Sequence, residues 1–107
     1  MTDLTYTVDR TGTTAVGVLA GEIDLASIEA LEAAIGAIEQ EAAEGDDVVL
    51  DMSGVTFLDS SGLRVLVTAN DRLDTAGSRL VIRRPSASVV RVLEITGLLS
   101  TIVVDDD

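Results

Sequence analysis

The chain has 107 residues, is 47% hydrophobic and carries a formal charge of −12, from 19 acidic residues against seven basic ones. This size allows one domain with one core, which we assign to residues 1–107. The acidic excess argues against nucleic acid and anionic membranes as partners, and the lack of cysteine and histidine excludes disulfides, the usual zinc ligands and the usual general base.

The sequence also predicts where the protein resides. It has no apolar run long enough to span a membrane, and its first residues lack the basic and apolar segments of a signal peptide. We therefore expect a cytoplasmic protein whose partners are other proteins.

The first half of the chain predicts a hairpin followed by a helix. Alternating apolar and polar residues at 4–9 and an apolar run at 14–20 flank turn residues at 10–12, which is typical of an antiparallel β-hairpin. The next segment has the apolar spacing of a helix, with Asp24 or Ser27 as its cap. Its glutamates indicate a solvated face and no metal site.

The second half predicts two further helices and three short strands. The strands are β-branched runs at 48–50, 80–82 and 102–104. The run at 48–50 does not alternate, so we expect helices on both faces of this strand or its neighbours. The full order, β-β-α-β-α-β-α-β, predicts an α/β fold with a mixed, mostly parallel sheet and an N-terminal antiparallel hairpin. The aspartates at 105–107 are expected to form a frayed acidic tail.

The junction at residues 51–66 joins a buried strand to a helix. Asp59, Ser60 and Ser61 can all accept hydrogen bonds from the N–H groups of a helix's first turn, so a helix is predicted to begin here. Right-handed crossovers place the loops that follow the strands on one edge of the molecule. The polar side chains expected at that edge are Glu22, Asp24, Asp59, Ser60, Ser61, Arg83 and Arg84.

Catalysis by these groups is not expected. A serine nucleophile needs a base within hydrogen-bond reach, and a chain without histidine or lysine offers only carboxylates. A phosphoacceptor role for Asp51, as in receiver domains, fails because the lysine of that site is missing, and no glycine-rich phosphate loop is present. The serine hydroxyls therefore either cap the helix alone or are also modified by the kinase activity of another protein.

Three motifs, in matching order and spacing, extend over essentially the whole chain. They are Gly-Glu-Ile-Asp at 21–24, Leu-Asp and Phe-Leu-Asp-Ser-Ser-Gly-Leu within 50–63, and Pro-Ser-Ala-Ser-Val-Val-Arg-Val-Leu with Ile-Thr-Gly-Leu within 85–98. Together they resemble the bacterial anti-sigma factor antagonists, the stand-alone members of the STAS domain family. The resemblance implies a STAS fold and a partner-switching protein of transcription regulation that has no catalytic role, no cofactor and no metal.

The resemblance also implies partners and a modification site. The unmodified protein would bind an anti-sigma factor that is also a serine kinase, which releases the sigma factor. Phosphorylation by that kinase would break the complex, and a PPM-type serine phosphatase would restore the active form. The phosphoacceptor of the family is the first serine after the aspartate, which corresponds to Ser60. The partner-binding residues expected around it are Glu22, Asp24, Asp59, Ser61, Gly62, Leu63 and Arg64.

Arg64 departs from the resemblance, because the best-known relatives have a glycine there. It follows Ser60 by four residues, so the two side chains can meet along the helix. It either holds the phosphate by a charge-assisted hydrogen bond, or stays solvated or contacts the partner. Arg83 and Arg84 are considered for the same role at longer range, and Ser61 is considered as a substitute for Ser60.

Other functions stay open at this point. A STAS chain can be a subunit of another assembly, such as a lipid-transport complex or a stress-signalling scaffold. A small-molecule or nucleotide binder would need a pocket that the sequence does not indicate. An enzyme is the least favoured alternative.

Overall fold

The computed structural model describes residues 4–12, 14–43 and 45–105. Within these residues, five strands and three α-helices follow the predicted order, with two short 3-10 turns, Leu25–Ser27 and Leu98–Ser100. The elements are β1 (Thr5–Thr11), β2 (Thr14–Ile23), α1 (Ile28–Glu41), β3 (Asp47–Leu58), α2 (Ser60–Thr75), β4 (Arg79–Arg83), α3 (Ala87–Thr96) and β5 (Val103–Asp105).

The five strands form one sheet whose spatial order is the order of the sequence, β1-β2-β3-β4-β5. The first pair is antiparallel and the other three pairs are parallel. Each parallel pair is connected by a crossover, two of them through the long helices α1 and α2. This confirms the predicted mixed, mostly parallel α/β fold.

All three helices pack on the same face of the sheet. Their buried side chains share one cluster with strand residues such as Leu50 and Ile82, and each fully buried leucine or isoleucine there contributes roughly 1.5–3 kcal/mol. The opposite face carries a separate row formed by Val16, Val49 and Val81. The predicted covering of both faces is therefore wrong.

Two physical features account for this error. Successive right-handed crossovers between neighbouring strands keep every helix on one side of the sheet. The alternation of apolar and polar residues expected of a strand covered on one face is also missing from β3. Val49, which points away from the helices, lies between Val16 and Val81 of the neighbouring strands and is only 2% exposed.

Strand β3 is much longer than the run at 48–50 that predicted it. It continues to Leu58, and residues beyond 52 pair with β2 alone through a ladder with two register shifts. Gly54 lies at the first shift, where a Cβ would be 3.0 Å from the Cβ of Ala20. The predicted loop after Leu50 is therefore a bulged extension of the strand, which carries the start of α2 beyond the end of β4.

The end of the chain is also more ordered than predicted. Asp105 belongs to β5, its carbonyl accepts a hydrogen bond of 2.7 Å from the Arg84 N–H, and its carboxylate lies 3.7 Å from the Arg83 guanidinium. The expected fraying is thus wrong for Asp105, and residues 106–107 lie outside the described residues. None of the described helices is long and apolar enough to cross a membrane.

Candidate functional site

Helix α2 begins at Ser60 and is capped by Asp59. One carboxylate oxygen of Asp59 accepts hydrogen bonds from the N–H groups of Ser61 (3.0 Å) and Gly62 (3.1 Å), and from the Ser61 hydroxyl (2.5 Å). The hydroxyl bond is the main cause that holds the pKa of Asp59 below its ordinary value, against the opposing effect of partial burial. Of the three predicted capping residues, the structure selects Asp59.

The two serines of this first turn are in different states. The Ser61 hydroxyl is half-buried and donates to the cap. The Ser60 side chain is exposed and makes no hydrogen bond with any residue that the structure describes. Because Asp59 already satisfies the neighbouring donors, the Ser60 hydroxyl is available to a partner.

Gly62 allows α2 to pack closely on the sheet. A Cβ at this position would overlap Cγ2 of Ile23 and lie 2.9 Å from Cδ1 of Leu58. Leu63 follows it into the core with 8% of its surface exposed. These two residues, which the sequence assigned to the partner-binding surface, therefore face the sheet.

The turn between β2 and α1 is held by a reciprocal cap. The Asp24 carboxylate accepts the Ser27 N–H (3.2 Å), and the Ser27 hydroxyl oxygen accepts the Asp24 N–H (2.9 Å). The same hydroxyl donates to the Glu22 carbonyl (2.9 Å). Asp24 thus caps the 3-10 turn that leads into α1, whereas Ser27 makes no side-chain hydrogen bond to α1 itself.

This turn and the start of α2 lie side by side. The Asp59 N–H donates to the Ile23 carbonyl (3.1 Å), and the Leu25 N–H helps to lower the pKa of the Asp59 carboxyl. The ends of β2 and β3 therefore bring Glu22 and Asp24 next to the serine pair, so the modification site predicted from sequence would lie on an acidic surface.

Arg64 lies one turn after Ser60 on α2 and is exposed. It lines a groove of about 320 Å³ between α1 and α2, and it forms no ion pair with any described residue. The groove is lined by Glu32, Ile35, Arg64, Val65, Thr68, Ala69 and Arg72.

Arg83 and Arg84 do not lie at the edge that holds Ser60. Both are level with Asp51, which pairs with Arg83 in the ladder and is ion-paired with Arg84. Leu58 lies seven positions beyond Asp51 along β3, which is roughly 20 Å of strand. The prediction of one shared edge is wrong for these arginines, because β2 and β3 continue past the end of β4.

Asp51 is instead a buried structural carboxylate. It is 2% exposed and accepts hydrogen bonds from the Ser53 N–H (3.0 Å) and hydroxyl (2.8 Å) and from the Arg84 guanidinium. Burial is the largest single influence and favours the neutral acid, but these hydrogen bonds together hold the pKa of Asp51 below its ordinary value.

Sequence reasoning missed two apolar side chains at this end of the molecule. Leu25 is 78% exposed in the turn beside Asp59, and Phe57 is 47% exposed two residues before it. In the sequence, Leu25 continues the apolar spacing of α1 by one turn, so the pattern predicts a buried side chain. Phe57 lies in the part of β3 that was predicted to be a loop.

Neither histidine nor lysine is present in the chain, and no cluster of three or more carboxylates suited to a metal ion occurs in the described ranges. The arrangement is an exposed hydroxyl at the positive end of a helix, surrounded by carboxylates and two apolar side chains. It can receive a group from another protein, and it can be contacted by one.

Comparison with known proteins agrees with this fold. The family model of the STAS domain matches residues 6–107. The anti-sigma-F factor antagonist RsfB of Mycobacterium tuberculosis is 36% identical over 98 residues, which cover 92% of this chain and 78% of RsfB. The chain therefore belongs to the STAS domain family.

Solved structures point to the same group within that family. An anti-sigma factor antagonist from Mycobacterium paratuberculosis has a TM-score of 0.81 and 31% identity, covering 98% of this chain and 87% of that one. The phosphorylated form of the Bacillus cell fate determinant SpoIIAA has a TM-score of 0.68 and 25% identity, covering 96% and 93%. These relatives confirm the resemblance to anti-sigma factor antagonists that the three motifs carried.

Proposed function

We propose that this chain is an anti-sigma factor antagonist whose binding is switched off by phosphorylation of Ser60. In its unmodified form it binds an anti-sigma factor that is also a serine kinase, and the sigma factor is released. A PPM-type phosphatase restores the unmodified form. The chain works in the cytoplasm and has no catalytic role of its own.

The observation that carries this proposal is the difference between the two serines. The Ser60 hydroxyl is exposed and unbonded within the described structure, whereas the Ser61 hydroxyl is held by the cap. Transfer of a phosphoryl group to Ser61 would cost its hydrogen bond to Asp59, and transfer to Ser60 would not. This supports Ser60 as the acceptor and disfavours Ser61 as its substitute.

The partner surface is proposed to surround the acceptor. Glu22, Asp24 and Asp59 supply carboxylates that suit a basic partner, and Ser61 and Arg64 complete the polar part of the surface. Leu25 and Phe57 add exposed apolar area that a partner can bury. Gly62 and Leu63 contribute indirectly, because their packing against the sheet fixes the position of α2.

Phosphorylation is proposed to act on this surface. A phosphate on Ser60 adds a charge of about −1.5 to −2 at neutral pH. At the first residue of α2 this charge is near the positive end of the helix dipole, so the fold tolerates it. A docking partner, however, would have to desolvate a dianion next to existing carboxylates, and release follows from that cost.

The test begins with the unmodified protein and Ser60→Asp as baits in an extract of the native host. The expected partner is recovered by the unmodified protein and depleted with Ser60→Asp. The purified partner is then incubated with ATP and each of three variants, Ser60→Ala, Ser61→Ala and Ser88→Ala. Mass spectrometry is expected to show one added phosphate on the last two and none on Ser60→Ala.

Ser88 is the matched control, since it is an exposed serine in the first turn of α3. Equal modification of Ser60 and Ser88 would mean that exposure alone selects the site, and it would contradict the proposed role of the α2 surface. A partner that binds Ser60→Asp as well as it binds the unmodified protein would disprove the switch. The relatives described above are anti-sigma factor antagonists, so they do not favour the alternative of a subunit in another assembly.

A further inference from the structure

Arg64 and Ser60 are positioned to interact directly along α2. They are four residues apart, both side chains are exposed, and residues at this spacing are neighbours on a helix surface. Long helical side chains lean toward the amino terminus of their helix. The guanidinium of Arg64 can therefore reach the turn that contains Ser60.

Arg64 also differs from most other arginines of the chain. Five arginines form ion pairs within the described residues: Arg10 with Asp46, Arg72 with Glu39, Arg79 with Asp47, Arg83 with Asp105 and Arg84 with Asp51. Arg64 forms none there, although the chain has nearly three acidic residues for each arginine. A new anion can therefore engage Arg64 without breaking an existing ion pair.

Arg64 lines the groove between α1 and α2 without forming an ion pair with any described residue. Glu32 lines the same groove but is not ion-paired with Arg64, whereas Arg72, which also lines the groove, is ion-paired with Glu39 at 2.6 Å. The floor is apolar, formed in part by Ile35 and Val65. Arg64 thus lines the groove together with one carboxylate, Glu32, with which it forms no ion pair.

We infer that Arg64 binds the phosphate on Ser60 and is the residue that stabilises the phosphorylated form. This inference rests on the proposed modification of Ser60. Phosphorylation draws the guanidinium away from the groove and onto the phosphate oxygens, where a charge-assisted hydrogen bond forms. Asp59 directly precedes Ser60, and one of its oxygens already accepts three hydrogen bonds, so its negative charge repels the phosphate and makes a neighbouring cation more favourable.

The experiment uses the full chain with phosphoserine incorporated at position 60 by genetic encoding, so that no kinase is needed. Phosphorus NMR then follows the second ionisation of the phosphate in the presence of Arg64 and in Arg64→Gln. The expected result is a phosphate pKa lower by about 0.5 units with Arg64 present, a roughly threefold change in proton affinity. Arg64→Lys should give a smaller decrease, because an ammonium cannot form the bidentate contact.

Arg91→Gln is the matched control, because Arg91 is an exposed arginine of α3 with no ion pair in the described residues. It should leave the phosphate pKa unchanged. Identical titrations of the Arg64 and Arg64→Gln proteins, or an equal change with Arg91→Gln, would overturn the inference.

The outcome is separable from the test of the proposed function. If the partner kinase modifies Ser60 but the titration does not depend on Arg64, only the role of Arg64 is disproved. If the titration depends on Arg64 but no partner kinase modifies Ser60, only the proposed function is disproved.

Discussion

Helices α2 and α3 both begin with a serine-rich sequence, yet their first turns leave different groups free. In α2 the cap is a carboxylate, and Asp59 alone satisfies two N–H groups and the Ser61 hydroxyl. In α3 the cap is Ser86, whose hydroxyl oxygen accepts the Val89 N–H (3.3 Å) while its proton is donated to the Val55 carbonyl (2.5 Å). The carboxylate cap of α2 therefore leaves the Ser60 hydroxyl without a hydrogen bond in the described structure. In α3, by contrast, the hydroxyl of the cap residue Ser86 both accepts and donates a hydrogen bond.

The two junctions also differ in how they are fixed to the sheet. The segment before α3 is fixed by a polar contact, the ion pair between Arg84 and the buried Asp51. The backbone of Arg84 has a positive φ of 47° there. The start of α2 is fixed by close packing of Gly62 against Ile23 and Leu58. The apolar attachment of α2 leaves its polar groups free to face outward, which is what a modification site requires.

The largest expected effect tests this packing. Gly62→Ala should lower the free energy of unfolding by about 1–3 kcal/mol, because the new methyl group overlaps Ile23 and the core must shift. The matched control is Gly36→Ala within α1, where no atom beyond the adjacent residues and the backbone of the helix itself lies within 4 Å of the added Cβ. The control should gain about 0.5–1 kcal/mol from helix propensity. Urea unfolding measures both, and equal changes would show that the first turn of α2 is not closely packed.

The sequence predicted the elements of the fold better than their arrangement in space. Caps and helical spacing correctly located the start of α2 at Ser60, because capping is a local property of a few consecutive residues. The extension of β3 was missed because Ser53 and Gly54 are typical turn residues, and only their pairing with β2 makes them strand. Pairing across the sheet is not encoded in local spacing.

The candidate site shows the same division. The turn at Asp24 and the start of α2 at Asp59 and the two serines were placed side by side correctly, since they follow neighbouring parallel strands. Arg84 was placed with them incorrectly, since strand lengths decide which strand ends are level. Ser60 and Ser61 are both serines, so the sequence alone does not show which of their hydroxyls the Asp59 carboxylate contacts. In the structure it contacts the Ser61 hydroxyl.

An intermediate effect tests the carboxylate cap. Asp59→Ala should cost about 1–2 kcal/mol at neutral pH, and Asp59→Asn less, because the amide oxygen can still accept from the N–H groups. Since folding lowers the pKa of Asp59, its ionised form stabilises the native state above the ordinary carboxyl range, and this contribution is lost as the pH falls. The stability difference between the unmodified protein and Asp59→Asn should therefore shrink on acidification. A difference that stays constant between neutral and acidic pH would contradict the role of the charge.

The smallest expected effect concerns Ser60→Asp, which places a negative charge at the first residue of α2. Its interaction with the helix dipole should change stability by no more than about 0.5 kcal/mol, in the stabilising direction. Backbone amide shifts should be confined to the first turn of α2 and the turn around Asp24 and Leu25. Ser88→Asp at the first turn of α3 is the control and should be as mild for stability, but without any loss of partner binding. Shifts spread through Leu66, Ile82 and the rest of the core would mean that the added charge refolds the domain. Local shifts with complete loss of binding would mean that the switch operates at the surface, because the fold away from the added charge is unchanged while the partner no longer binds.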